Sequence, residues 1–142
     1  MSAELLYSEI LDAFKTLSTD EERIAYLRKQ DHQRFRDFLQ YAFNPKIEFD
    51  VKIPEYRPAQ EPAGLNFTYL DIELGKMYLY IKGHSKRSPD LTPERQTSLF
   101  KSILEALHKD EAAYLVKMVN KDLEIPTLTK KLINQAYPNL EL

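Results

Sequence analysis

LYSEILDAFKTLSTDEERIAYLRKQD, running from Leu6 to Asp31, decides the fold class. Leu6, Ile10, Ala13, Phe14 and Leu17 recur at the spacing of a single apolar helix face. Ser18-Thr19-Asp20-Glu21-Glu22 then interrupts the pattern. A threonine followed three positions later by glutamate is a capping-box signature, and it predicts a second helix carrying Ile24 and Leu27. Asp31 is placed to cap a third, with Phe35, Phe38, Leu39 and Ala42 inward. Helices this short and this tightly joined must bury their apolar stripes against one another, as in a helical bundle or a repeat-like stack.

Asn44 to Asn66 has a different character. Pro45, Pro54, Pro58 and Pro62 exclude a continuous helix, because proline lacks the backbone donor and clashes with the preceding turn. KIEFDVKI, Lys46 to Ile53, alternates charged and apolar residues as a half-exposed strand does. The expectation is an extended crossing segment that holds a short edge strand or hairpin. Helical spacing returns at Leu70, Leu74, Met77, Tyr78 and Ile81 and breaks at Gly83. Thr92-Pro93-Glu94-Arg95 opens a helix with proline at its first position, carrying Leu99, Phe100, Ile103, Leu104 and Leu107. Asp110 is placed to cap the next, with Leu115, Val116 and Val119 inward. A last helix is expected near Thr127, carrying Leu128, Leu132 and Ala136. The fold class is therefore all-α: about seven short helices in one domain, residues 1–142, with a proline-rich excursion after the third helix.

Composition narrows the functional classes. No cysteine is present, so disulfides, thiolate metal sites and cysteine nucleophiles are excluded. Twenty basic residues against 22 acidic ones leave a formal charge of −2, so any polyanion must be held by a local patch. The N-terminal MSAELLYSEILDAF has acids where a signal peptide needs a basic region and an apolar core. No run reaches membrane-span length, so a soluble, unprocessed protein with no membrane partner is expected.

Reactive groups do not converge. His32, His84 and His108 have no second ligand at helical spacing. Asp71 and Glu73, two apart on a helix, point to different sides. Glu48 and Asp50 share a face with Lys46 and Lys52, as on the wet side of an edge strand. Gly64, Gly75 and Gly83 are isolated, so no phosphate-cradling loop exists. The expectation is a non-enzyme without cofactor or metal.

The C-terminal stretch EAAYLVKMV–NKDLEIPTLT–KKLINQAYPNL resembles the last two helices of the N-terminal DNA-binding domain of phage-type ATP-dependent DNA ligases. The matching features are the basic-Asp-Leu step at Lys121, Asp122 and Leu123, and the closing Asn134, Tyr137, Pro138 and Leu140. The order of the earlier helices and the basic loop after Lys82 follow the same domain more faintly. Tyr78–Gly83 is also similar in form to a helix end in small tailed-phage proteins. The resemblance implies a ligase-like helical bundle working in the host cytoplasm. It also implies a DNA-recognition module without the Lys-x-Asp-Gly motif that takes AMP, hence not a ligase by itself. One departure is Ile125-Pro126-Thr127, where ligase domains place glycine and a small hydroxyl residue; proline removes one phosphate-facing donor.

Two basic segments would serve such a module. KMYLYIKGHSKRSP, Lys76 to Pro89, has no acid, and further lysines flank the final joint. Contacts to phosphates of double-stranded DNA are expected from Lys82, Lys86, Arg87, Lys121, Thr127, Lys130 and Lys131. The competing reading is a protein-interaction module, an adaptor or inhibitor docking on a host or phage protein. In it, the proline-rich segment is the binding edge and KIEFDVKI adds a strand to the partner.

Overall fold

The computed structural model describes residues 5–142, and within them seven α-helices form. They are α1 (Tyr7–Lys15), α2 (Asp20–Lys29), α3 (Gln33–Phe43), α4 (Leu70–Glu73), α5 (Pro93–Ala106), α6 (Lys109–Val119) and α7 (Lys130–Ala136). Most start where a side chain accepts an N–H group that the first turn leaves free. Thr19, Thr92 and Thr129 do so for α2, α5 and α7. His32 and His108 cap α3 and α6 through Nδ1, where Asp31 and Asp110 were expected. Asp31 instead grips the Arg36 guanidinium at 2.6 and 2.9 Å. α7 begins three residues later than expected because the backbone is still extended at Thr129, with φ −113° and ψ 159°.

α6 is the central element, packed on α1, α3, α4 and α5. Ala112, Leu115 and Met118 are fully buried there. α2 and α7 pack on each other. The Tyr137 hydroxyl donates to the Leu27 carbonyl, and Arg28 donates to the carbonyls of Gln135 and Ala136. A guanidinium at those terminal carbonyls also complements the negative end of the α7 dipole.

The stretch expected as one helix over Tyr69–Lys82 divides. After the single turn of α4, Leu74–Tyr80 winds as a 3₁₀ helix. With three residues per turn, side chains at i, i+3 and i+6 eclipse. Leu74, Met77 and Tyr80 therefore share one face, and all three are fully buried. An α-helical register would have turned Tyr78 inward; it is only half-buried.

No strand and no hairpin forms over Lys46–Ile53, which corrects the β element expected there. The alternation is real: Ile47, Phe49, Val51 and Ile53 are half-buried while the charged residues between them are exposed. Only a lone antiparallel bridge results, Phe49 opposite Ile81, with Asp50 N–H donating to Tyr80 O and Lys82 N–H to Glu48 O. The partner backbone comes straight out of the 3₁₀ helix and turns at Gly83 (φ 75°), so no ladder can continue. Period-two patterning here reports an extended chain lying on a helical core.

At two helix starts, those of α1 and α4, the N-cap side chain accepts no first-turn N–H, although Glu9 accepts the Leu6 N–H at α1. Both are served by Glu111, which is 1% exposed. Its Oε2 accepts from Tyr7 N–H at 2.9 Å and its Oε1 from Leu70 N–H at 3.0 Å. Burial raises the Glu111 carboxyl above the ordinary glutamate range, against the pull of these two N–H groups. The folded chain thus keeps this proton to higher pH than the unfolded chain. The resulting stability is full below the ordinary value of 4.5 and is lost as pH rises through the folded value.

Glu111→Ala should destabilise the fold by about 2–5 kcal/mol in urea titration, since two buried donors lose their acceptor at roughly 1–3 kcal/mol each. Glu111→Gln should cost about half as much, having one acceptor oxygen. It should also flatten the decline in stability above pH 4.5 that the wild-type carboxyl contributes.

Candidate functional site

The joint between α6 and α7 carries the most unusual backbone. Lys121 N–H donates to Met118 O and Asp122 N–H to Lys117 O, both at 3.0 Å, the paired bonds of a Schellman turn. That turn needs a left-handed residue, and Lys121 supplies it at φ 61° where glycine is usual. A side chain there costs roughly 1–2 kcal/mol. What it contributes in return is visible: Lys121 Nζ donates to Tyr41 O at 2.6 Å and to Asn44 O at 2.8 Å, and lies over the Phe49 ring. One ammonium thereby ties the end of α6 to the end of α3 and to the crossing segment. Burial, assisted by the nearby Lys130 charge, lowers its pKa to about 8.

Three residues on, Glu124 is also left-handed, at φ 59°. Its N–H donates to Asp122 Oδ1. The doubly turned backbone walls a cleft of about 340 Å³ with Phe43, Ile125, Pro126 and Leu128 along its sides and Asp122 and Glu124 among its lining. The apolar lining and the two carboxylates make it unsuited to a phosphate.

The seven expected contact residues separate into two kinds. Lys121 is turned inward as described. Arg87 is also engaged, donating to Asp50 Oδ1 at 2.6 Å and to Ile81 O at 3.1 Å. Lys82, Lys86, Thr127, Lys130 and Lys131 are exposed. Lys82 Nζ stands 4.0 Å from Glu48, and Lys121 Nζ lies over the ring of the next residue, Phe49. The start of the basic loop and the final joint, far apart in sequence, thus meet on the crossing segment. Thr127 does not cap α7; Thr129 does.

Sequence reasoning passed over the groups that hold this arrangement. Asp50 accepts from both Arg87 and Gln96, and Gln96, itself buried, also donates to Leu79 O. Burial pushes the Asp50 carboxyl up, but these bonds outweigh it and hold it below the usual carboxylate range. Gln96 stands four residues before the core Phe100, and Glu111 four before Leu115. A polar residue in register with an apolar stripe was the available signal.

Among the described residues no group of three acidic or histidine side chains could hold a metal ion. No described helix is long and apolar enough to cross a membrane. Residues 10–125 match a family of unknown function, DUF6433, and the chain belongs to it. No curated protein and no solved structure matches the chain.

The Lys121 geometry sets an order of stabilities. Lys121→Gly relieves the left-handed strain but loses two charge-assisted bonds, for a net loss of about 2 kcal/mol. Lys121→Ala keeps the strain and loses the bonds, so thermal unfolding should rank wild type above Gly and Gly above Ala by about 1 kcal/mol. NMR titration of the lysine side chains should show Lys121 with a midpoint of about 8.

Proposed function

We propose that this DUF6433 member is a non-catalytic accessory module of phage type that holds the backbone of double-stranded DNA without reading its sequence. The observation that supports this reading most is the meeting of Lys82 and Lys121 on the crossing segment, at Glu48 and Phe49. Lys130 and Lys131, exposed at the start of α7, follow the same joint. Like charges held together oppose folding and favour an anion placed across them.

Contact falls to Lys82, Lys86, Lys130 and Lys131, whose ammonium groups are exposed, with Lys121 and Arg87 shaping the surface beneath. Lysines of this kind attract phosphate oxygens as point charges and carry no base information. Glu48, Asp50 and Glu124 border the same surface and limit the number of phosphates it can take. Affinity should therefore be modest and strongly salt-dependent. The likeness of the Lys121–Leu123 step and the Asn134–Leu140 closure to the ligase domain supports the same reading, and suggests a nick as one substrate.

Fluorescence anisotropy with intact, nicked and single-stranded DNA, at low and near-physiological salt, tests it. Micromolar binding should weaken with salt at a log–log slope of about −3 to −4 if four phosphates are neutralised. Lys86→Glu, Lys130→Glu and Lys131→Glu together should abolish binding while leaving the helical signal unchanged, because all three side chains are exposed. Absence of binding to every DNA at low salt would overturn the reading.

A further inference from the structure

We propose that the face around the starts of α1 and α4 docks a basic amphipathic segment of a partner protein. This surface is separate from the lysines described above and stands independently of DNA binding. Four large apolar side chains are exposed in the described chain: Phe67 at 87%, Leu65 at 71%, Ile72 at 56% and Leu5 at 50%. The adjoining Leu70 and Leu74 are fully buried, so the exposure is not a sign of loose packing.

The topology brings these four together. Glu111 receives Tyr7 N–H and Leu70 N–H on the two oxygens of one carboxylate, which fixes the α1 and α4 starts side by side. The Tyr7 hydroxyl adds a 2.7 Å bond to Asp71 across the same seam. Leu5 lies two residues before Tyr7, Phe67 three before Leu70, and Ile72 two after it. At about 3.5 Å per residue, none of the three can stand more than roughly 10 Å from those anchored amides. Leu65 is folded back toward them because the Tyr69 hydroxyl donates to Gly64 O at 3.1 Å. Exposed apolar groups gathered in one region of an otherwise well-buried chain mark an interaction surface.

The charge around the patch selects its occupant. Glu9, Glu61 and Asp71 each lie within four residues of one of these side chains; each accepts a hydrogen bond, and none forms an ion pair among the described residues. Of the neighbouring cations, Lys76 pairs with Glu73 and Arg34 with Asp37, while Lys109 at the α6 start is exposed and outnumbered by the acids. A symmetric pairing with a second copy would set Glu9, Glu61 and Asp71 against themselves. Nucleic acid and anionic lipid are disfavoured by the same charges. Apolar anchors one helical turn apart, flanked by lysine or arginine, satisfy both the patch and its rim.

The probe is a short fluorescein-labelled helical peptide of leucine and lysine with one apolar face, titrated with the full chain. The controls are a peptide with glutamate in place of lysine and one with the leucines scattered. The basic amphipathic peptide should bind in the micromolar range, and amide shifts should concentrate at residues 5–9 and 61–72. Leu65→Ser with Phe67→Ser should weaken binding at least about tenfold, as loss of central anchors does. Glu61→Lys should weaken it in a salt-dependent way. Leu65 and Phe67 are exposed and Glu61 is half-buried, and circular dichroism checks that the helices remain. Equal binding of the acidic peptide, or binding indifferent to Leu65 and Phe67, would overturn the proposal. So would a wild-type dimer that Phe67→Ser converts to monomer.

Discussion

The carboxylate of Glu111 is the constraint on which the remaining architecture depends. Two helices begin at residues whose own side chains offer no acceptor, and burying those starts without one would leave unpaired donors in the interior. A single side chain on the central helix supplies both. The arrangement sets the positions of α1 and α4 relative to α6 and, through α4, the origin of the 3₁₀ helix. Burying a carboxylate is costly unless it is hydrogen-bonded, and here each oxygen has a backbone donor.

The two faces considered for binding are built by different means. The basic one is assembled from loops, and much of its charge is consumed in holding them: Arg87 on Asp50, Lys121 on the end of α3. The apolar one flanks two helix starts fixed by internal hydrogen bonds, with Leu65 and Phe67 in the loop that leads into α4. The two surfaces thus differ in both charge and polarity.

The helical class was legible because apolar spacing and threonine caps are local properties; Thr19 and Thr92 behave as their neighbours in sequence demand. Four features were not legible. KIEFDVKI has the pattern of a strand, yet strand formation depends on a partner, and the backbone bridged to it turns away at Gly83. The 3₁₀ register of Leu74, Met77 and Tyr80 differs from an α-helical one by a single residue at its far end, too little for spacing to decide. Lys121 read as a free cation because nothing in its immediate sequence announces carbonyls almost eighty positions upstream as its partners. Leu65 and Phe67, in turn, sit in a segment without periodicity, where exposure cannot be inferred from pattern.

The pairing of α2 with α7 has a kinetic meaning. Leu27 and Tyr137 are 110 positions apart, and Arg28 and Gln135 are 107 apart. Closing a loop of that length costs entropy before any contact repays it, so this domain should fold more slowly than its short helices would suggest. On a ribosome, α2 would emerge long before α7 exists. The Leu27 side of the nascent chain must then wait, uncovered, for the helix that shields it.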